Sequence, residues 1–203
     1  MKKIIVIGTG GHAKSCIDVI EQENKYKIIG LIEKNKTNNK NFLGYPILGT
    51  DKVLEKFKMK CNNLFLGIGQ IKDSSIRSKK FKKLTSMGFN FPVIISPKSY
   101  VSSKSEIGNG TIIMHKAIVN IDSKIGKNCI INSRSLIEHE VTVGKNCHIS
   151  TGSVLNGKVQ IGNDIFVGSG TIVKEGVRIG SRCVIGMGTI IKRTIKDKKI
   201  LKK

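Results

Sequence analysis

The chain has 203 residues, enough for one or two modest domains, and carries 36 Lys and Arg residues against 14 Asp and Glu, a formal net charge of +22. The basic residues are spread along the chain, and only ten aromatic residues occur, none interleaved with a basic stripe, so nucleic-acid binding is not expected. The charge favours either an anionic ligand, such as a nucleotide sugar or coenzyme A, or simply a lysine-rich solvated surface.

Targeting and membrane signals are not found in the sequence. No apolar run reaches the roughly 18 residues of a membrane helix. The first residues, MKKIIVIGTGGH, have glycines where a secretion signal has its small-residue cleavage site. We therefore expect a cytoplasmic protein without membrane contact.

Residues 1–92 predict a small α/β domain, because strand-like apolar runs alternate with amphipathic helices. A parallel sheet with helices on both faces is the expected arrangement. The predicted elements are a strand at 2–8, a helix from residue 13, strands at 28–33 and 63–69, a short segment at 45–48, helices at 50–58 and 75–87, and a last strand at 91–96.

A glycine-rich turn, Gly8-Thr9-Gly10-Gly11-His12-Ala13, follows the first strand and resembles a dinucleotide fingerprint in its alanine-ending form. Glycines let a nucleotide approach the backbone, and a helix N-terminus favours phosphate. Glu33 ends the second strand, where it is placed to bind ribose or base hydroxyls. Because about five strands make only half of a full dinucleotide fold, a single-nucleotide ligand is favoured over NAD. A purely structural domain is the alternative.

Residues 93–203 predict a parallel β-solenoid, since every sixth residue from Ile95 to Ile191 is Ile, Val or Leu. A small or apolar residue follows four positions after each of the first sixteen, which gives two inward positions per hexad. Gly108 and its equivalents recur every eighteen residues, so one coil has three strands, and we expect these glycines to adopt the positive φ of a sharp corner. The lysine-rich end, KRTIKDKKILKK, is expected to be a solvated tail or a short closing helix.

The five cysteines and four histidines do not have metal-site spacing. Cys129, Cys147 and Cys183 share an inward position, so disulfides and structural zinc are not expected. A zinc site built from His115, His139 and His148 is a disfavoured alternative, because their spacing does not match that of known zinc enzymes with this repeat. No metal is therefore expected.

His139 is the main candidate for chemistry. It lies between Glu138 and Glu140, two residues after an inward position, and a carboxylate neighbour makes imidazole a better base. Gly157 is eighteen residues later, so its N–H should lie one coil above and could meet an oxyanion. His148 is half a coil away, on the far side, so the two histidines converge only between neighbouring copies of a cyclic oligomer. The alternative is an exposed histidine among solvated charges.

The segment Asn132-Ser133-Arg134-Ser135-Leu136-Ile137-Glu138-His139-Glu140 resembles the sugar acetyltransferases of the left-handed parallel β-helix superfamily. With the turn at residues 8–13, the resemblance narrows to the branch of sialic acid O-acetyltransferases and N-acetyltransferases of nucleotide-linked 4-amino-4,6-dideoxy sugars. It covers nearly the whole chain. It implies a left-handed coil, acetyl-coenzyme A as co-substrate and a homotrimer with sites between subunits.

The resemblance also implies roles by position. His139 would be the general base that takes a proton from the attacking sugar group, and Glu140 would orient it. Contacts to acetyl-coenzyme A are implied for His148, Gly157, Ser169 and Met187. Contacts to the nucleotide sugar are implied for Gly10, Gly11, His12, Glu33, Lys34 and Gly69.

The leading hypothesis is therefore an N-acetyltransferase that acetylates the amine of a nucleotide-linked amino sugar for glycan biosynthesis, by direct transfer from acetyl-coenzyme A. The first alternative is O-acetylation of a sialic-acid-like sugar by the same residues. The second alternative is a non-catalytic scaffold. His115, which lies on another face and coil, is expected to have no partner and no role.

Overall fold

The computed structural model describes residues 1–35 and 38–201. Its first part is a five-stranded sheet in the order β3-β4-β2-β1-β5. Four strands run parallel, and β3 pairs with β4 in the antiparallel sense at one edge. The strands are β1 (Lys2–Ile7), β2 (Tyr26–Ile32), β3 (Asn41–Phe42), β4 (Tyr45–Gly49) and β5 (Leu64–Leu66).

Helices cover both faces of this sheet, as predicted. Alternate residues of β1 point to opposite faces. Ile4 and Val6 pack with Ile17 of α1 (Gly11–Glu23), whereas Ile5 and Ile7 lie in the core on the other face. That other core also contains residues of a 3₁₀ turn (Asp51–Val53), α2 (Leu54–Phe57) and α3 (Ser75–Ser86).

The predicted strand at 91–96 has a different position from the one expected. It is reduced to β6 (Ile94–Ile95), which pairs with Ile112–Ile113 of the solenoid and not with the first sheet. Phe89 and Phe91 are buried in the α/β core just before it. The chain thus passes from one core to the other within a few residues, and the boundary between 92 and 93 stays a prediction.

The second part is a three-sided parallel β-helix of two-residue strands. Face A carries β6, β9, β12, β15, β18, β21 and β23, which are Ile94–Ile95, Ile112–Ile113, Ile130–Ile131, His148–Ile149, Phe166–Val167, Val184–Ile185 and Ile200–Leu201. Face B carries β7, β10, β13, β16, β19 and β22, which are Tyr100–Val101, Ile118–Val119, Leu136–Ile137, Val154–Leu155, Ile172–Val173 and Ile190–Ile191. Face C carries β8, β11, β14, β17 and β20, which are Glu106–Ile107, Lys124–Ile125, Thr142–Val143, Gln160–Ile161 and Arg178–Ile179.

The repeating apolar residue of each hexad is the inward one. Val119 pairs with Ile137, and Ile137 with Leu155, so adjacent coils are in register at eighteen residues, and all three side chains are buried. The small inward residues also donate hydrogen bonds to corner carbonyls. Ser123 Oγ donates to Glu138 O at 2.7 Å, and Cys147 Sγ to Gly162 O at 3.0 Å. These bonds satisfy carbonyls that the core would otherwise leave unpaired.

The expected role of the repeating glycines is wrong. Gly126 and its equivalents do not have positive φ; left-handed residues recur every six positions instead, as at Asn128, Arg134 and Glu140 with φ of 58°, 61° and 61°. The glycines are required by close stacking, because a Cβ on Gly126 would lie 2.6 Å from the carbonyl carbon of Gly144. Adjacent coils meet backbone to backbone at this corner.

Replacing Gly126 by Ala is therefore expected to lower the free energy of unfolding by about 3 kcal/mol, because the added methyl group forces the two coils apart. Urea unfolding measures the change. Gly152→Ala is the control, since a Cβ there meets no atom within 4 Å and only the left-handed backbone is strained. An equal effect of the two substitutions would contradict the stacking explanation.

The basic end of the chain is neither a tail nor a helix as far as residue 201. Ile195 forms a bridge with Ile179, and Ile200–Leu201 pairs with Val184–Ile185 on face A. The paired residues are sixteen positions apart here instead of eighteen, so the solenoid ends in a smaller coil. Lys202 and Lys203 lie outside the described residues.

The α/β part packs on face A. Ile112, Met114 and Ile130 of the solenoid share one buried cluster with Ile17 and Ile20 of α1. Of the helices in the described part of the chain, none has the length and apolar character needed to cross a membrane. Among residues 1–35 and 38–201, the outward side chains of faces B and C are exposed or half-buried.

Candidate active site

His139 and Glu140 form a pair at the corner between faces B and C. Glu140 has the left-handed conformation of this corner, with φ 61°, and its Oε2 lies 3.0 Å from Nδ1 of His139. Because a carboxylate only accepts hydrogen bonds, Nδ1 carries the ring proton. The lone pair of Nε2 is then directed away from Glu140. Both side chains are about half exposed, at 46% and 50%. The pair has the arrangement of a general base and the group that orients it.

Gly157 lies directly above His139, as the eighteen-residue period predicts. A Cβ on Gly157 would lie 2.6 Å from Nε2 and from Cε1 of the imidazole. The backbone N–H of Lys158 donates to the carbonyl of His139 at 3.0 Å and holds the two coils together. Only glycine at position 157 leaves room for the imidazole, so the position of the His139 ring explains why residue 157 is glycine. A role for the Gly157 N–H toward an oxyanion stays a prediction.

The glycine-rich turn joins β1 to α1. Gly8 has a φ of 111°, and Gly10 is the N-cap of α1 without a side-chain cap or an acidic residue in the first turn. A Cβ on Gly10 or Gly11 would meet no atom within 4 Å, so the space in front of the helix is open. The free N–H groups of a helix start favour an anion.

Glu33 folds back onto this turn. Its carboxylate accepts hydrogen bonds from the Thr9 hydroxyl and, at 2.9 Å, from the backbone N–H of Lys34. The structure thus brings Glu33 beside residues 8–11, whereas the Lys34 side chain is exposed. The contact follows from topology, because β1 and β2 are parallel neighbours and their carboxyl ends share one edge.

The loop after β5 completes the edge. A Cβ on Gly69 would lie 3.3 Å from Cβ of His12, and one on Gly67 would lie 3.0 Å from Cβ of Ala13. The two glycines let this loop approach the turn closely. Gly10, Gly11, His12, Glu33 and Gly69 are therefore grouped at one end of the sheet.

His148 meets the same group from the solenoid. It lies on face A with its ring 6.4 Å from that of His12, and it is buried. Its Nδ1–H donates to Gln70 O at 2.6 Å, and Asn132 Nδ2 donates to its Nε2 at 3.1 Å. Both ring nitrogens are thus occupied within the chain, and a contact to the co-substrate stays a prediction. Sequence spacing did not reveal Gln70, because it lies in a loop outside the six-residue repeat.

Both histidines are held neutral. Burial, helped by the charge of Arg77 and then by His148, lowers the pKa of His12 to about 3. Burial also lowers the pKa of His148 to about 4, against the hydrogen bond to Gln70, which raises it. Above pH 5 neither ring carries a charge.

Ser169 and Met187 lie at the corner between faces A and B. Ser169 Oγ is 2.9 Å from Ser150 Oγ, and Met187 is 70% exposed. This corner and the His139 corner border face B on opposite sides. Within one chain, therefore, the residues expected to contact acetyl-coenzyme A do not come together with His139, except for Gly157.

The expectation that His115 has no partner is wrong. Its Nδ1 lies 2.6 Å from Ser96 Oγ and its Nε2 lies 2.7 Å from Asp18 Oδ2 of α1. The hydrogen bond to His115 also lowers the pKa of Asp18. His115 thus ties the first helix to the solenoid, a contact that neither local sequence indicates.

All five cysteines are buried and free. Within residues 1–35 and 38–201, no three or more His, Cys, Asp and Glu side chains are grouped so that they could hold a metal ion. The alternative zinc site at His115, His139 and His148 is thus not formed in this part of the chain.

Two protein-family models match the chain. The PglD N-terminal domain matches residues 3–84, which contain the glycine-rich turn, Glu33 and Gly69. The bacterial transferase hexapeptide model (six repeats) matches residues 122–157 and 158–193, which contain His139, Gly157 and Ser169. A comparison with curated protein sequences gives no match.

Solved structures match over almost the whole chain. A variant of perosamine N-acetyltransferase from Caulobacter crescentus, in complex with CoA and GDP-perosamine, is 29% identical with a TM-score of 0.92, over 98% of this chain and 93% of that one. The acetyltransferase domain of PglB from Neisseria gonorrhoeae, in complex with acetyl coenzyme A, is 26% identical with a TM-score of 0.90, over 98% and 95%. WeeI from Acinetobacter baumannii shares the fold at 20% identity, with a TM-score of 0.82 over 97% and 94%.

The matched segments agree with an α/β domain followed by a left-handed β-helix. The His139–Glu140 pair lies in the first hexapeptide segment. The predicted fold class is thereby confirmed. The chain belongs to the hexapeptide-repeat sugar acetyltransferases and is an acetyltransferase.

Proposed function

We propose that this protein transfers the acetyl group of acetyl-coenzyme A to the amine of a nucleotide-linked amino sugar, in the cytoplasm, as a step in glycan biosynthesis. The observation that carries the proposal is the combination, in one chain, of an open glycine-rich turn lined by Glu33 with the His139–Glu140 pair beneath Gly157. The perosamine N-acetyltransferase that this chain resembles binds CoA and GDP-perosamine. That likeness supports a nucleotide amino sugar over a free sugar.

The reaction follows from the pair at the corner. The neutral sugar amine attacks the thioester carbonyl, a C–N bond forms, and Nε2 of His139 takes the amine proton while Glu140 stabilises the resulting imidazolium. The Gly157 N–H, which donates to no acceptor among the described residues, faces the developing oxyanion. Collapse of the intermediate breaks the C–S bond, and His139 returns the proton to the departing thiolate. Transfer is direct, without an acetylated enzyme.

Binding of the nucleotide is assigned to the sheet edge. Gly10 and Gly11 leave the backbone N–H groups of α1 open to phosphate, and Glu33, with Lys34 beside it, receives the ribose or base. His12 and Gly69 form the wall toward the solenoid. His148, Ser169 and Met187 are assigned to acetyl-coenzyme A.

The homotrimer is proposed to form through face B. Its outward side chains are all apolar, and four are well exposed, whereas those of face C are polar. Face A is already covered by the α/β part. An apolar row on one side of a prism favours association with further copies. The outward residues of face B are Tyr100, Ile118, Leu136, Val154, Ile172 and Ile190; those of face C are Glu106, Lys124, Thr142, Gln160 and Arg178.

This assembly completes the site. The His139 corner borders face B on one side, and the corner with Ser169 and Met187 borders it on the other. When three such faces close around a rotation axis, the first corner of one copy meets the second corner of the next. His139 and Gly157 of one subunit are thus proposed to act on an acetyl group held by a neighbour.

Replacing Ile172 by Glu is expected to convert the trimer to monomers and to abolish acetylation, because it places a charge within the apolar row of face B. Light scattering gives the mass in solution. Thr142→Glu, on face C, is the control and should leave the trimer intact. An unchanged assembly in the Ile172 variant would rule out face B as the interface.

The proposed reaction is tested with acetyl-coenzyme A and a panel of UDP, GDP, CMP and dTDP amino sugars and free nonulosonic acids, followed by mass spectrometry. We expect one acetyl group on the amine of a nucleotide-linked sugar. An acetyl ester on a free nonulosonic acid would support the O-acetyltransferase instead. Absence of transfer to every sugar would support the scaffold.

A further inference from the structure

Arg77 of α3 is a buried cation without an anionic partner. Its side chain is 1% exposed, although arginine is almost never fully buried unless it is paired. Nη1 donates to Leu66 O at 2.5 Å and to Ile68 O at 2.9 Å, and Nη2 donates to Gly110 O at 3.4 Å. Within the described residues, Arg77 forms no ion pair with a carboxylate, and its Nε has no partner at all.

Carbonyl groups satisfy most of the guanidinium donors but do not neutralise the charge. An uncompensated charge in the protein interior is unfavourable for folding. The unpaired Nε adds to this cost. An anion close to Arg77 would offset this cost.

The position of Arg77 connects it to the nucleotide edge. Leu66 and Ile68 flank Gly67, which packs against Ala13 of the glycine-rich turn. By binding both carbonyls, the guanidinium fixes the loop that carries Gly69 next to His12. The bond to Gly110 joins the same loop to the solenoid.

The charge of Arg77 acts on the groups around that edge. It lowers the pKa of His12 and of His148, in each case in addition to burial. It also opposes the rise in the pKa of Cys16 that burial causes. The positive potential of Arg77 thus extends to the first turn of α1, where no acidic residue lies.

We propose that the diphosphate of the bound nucleotide sugar balances the charge of Arg77, which strengthens binding without touching the ligand. The inference rests on the proposed function, since it takes the turn at residues 8–12 as the diphosphate site. Arg77 is then a positioning residue with an electrostatic role. An anion at the open N-terminus of α1 lies in the field of a buried cation that water and salt screen poorly.

The test compares Arg77→Gln with the wild type in calorimetric titrations. UDP, GDP, dTDP and CDP are titrated first, and the tightest binder is then compared with its own uncharged nucleoside. We expect Arg77→Gln to weaken binding of the diphosphate about tenfold and to leave binding of the nucleoside nearly unchanged. If Arg77 had only a structural role, Arg77→Gln would weaken binding of the diphosphate and of the nucleoside equally. That result would overturn the inference.

Salt provides a second measurement, which needs no Arg77 variant. The preference of the wild type for diphosphate over nucleoside should persist in 1 M NaCl, because a buried charge is screened less than an exposed one. Lys14→Gln, which removes an exposed cation from the first turn of α1, is the control, and its effect should vanish in high salt. Loss of the whole preference in high salt would overturn the inference, even if Arg77→Gln does not fold.

The histidines provide an independent readout. In Arg77→Gln, NMR titration should show the pKa of His12 above its wild-type value of about 3, since the repulsive charge is gone. Failure of the wild type to bind any of the four diphosphates would overturn this inference, and failure to bind CMP as well would overturn the nucleotide site. Equal diphosphate binding by wild type and Arg77→Gln would overturn the inference alone.

Discussion

Replacing His139 by Ala is expected to lower kcat by about 10²- to 10⁴-fold while the protein stays folded and keeps its wild-type assembly. Nε2 is the ring nitrogen of His139 that is free to accept the amine proton, because Nδ1–H donates to Glu140. The ring is about half exposed, so its removal leaves no cavity in the core. Steady-state kinetics with saturating acetyl-coenzyme A and sugar measure the loss.

His115→Ala is the matched control, since His115 also lies at a corner and also contacts a carboxylate, that of Asp18. We expect that variant to retain kcat within a few-fold and to lose stability, because α1 loses its hydrogen bond to the solenoid through Asp18. Wild-type kcat in His139→Ala would exclude general-base catalysis by this residue.

Replacing Gly157 by Ala is expected to lower activity by about 10²-fold or more, close to the effect of removing the His139 ring itself. The new methyl carbon would lie 2.6 Å from Nε2, well inside van der Waals contact, so the imidazole must turn away from its position beneath the glycine. A displacement of about 1 Å in a catalytic group can cost 10²-fold in rate. The effect should fall on kcat more than on KM for the nucleotide sugar, because the nucleotide is proposed to bind at the glycine-rich turn and not at Gly157.

Gly176→Ala is the control for this substitution. Gly176 lies on the same edge of the solenoid one coil further on, and a Cβ there would meet no atom within 4 Å. It should cost about 1–2 kcal/mol of stability through its left-handed backbone and leave kcat nearly unchanged. Comparable kcat losses in the two variants would show that any alanine on this edge is harmful.

The periodic part of the molecule could be predicted almost completely. A six-residue apolar repeat defines the inward side chains, and an eighteen-residue coil places Gly157 over His139 without further information. The same count explains why sequence reasoning misjudged the repeating glycines. The spacing predicts that Gly126 lies at a corner. Only the contact with Gly144 shows that close packing, and not a positive φ, requires glycine there.

The parts of the site that were missed depend on contacts between the two parts of the chain. Gln70, Arg77 and the His115–Asp18 pair have no period and no motif, and their partners lie on other elements. Their roles follow from how the α/β part packs on face A. A single sequence holds no local signal for that packing. The shortened last coil was missed for a related reason, since Ile195 and Ile200 depart from the six-residue count.

We propose that each active site combines residues of two subunits, and mixing two variants that are each expected to be inactive tests this most directly. His139→Ala lacks the base, and His148→Asn lacks Nε2 but keeps a donor for Gln70 O. After co-refolding in equal amounts, random trimers should regain about a quarter of wild-type activity, because one site in four pairs an intact His139 with an intact His148 of the neighbour. No recovery above the two separate variants, in trimers shown to be mixed, would contradict a shared site.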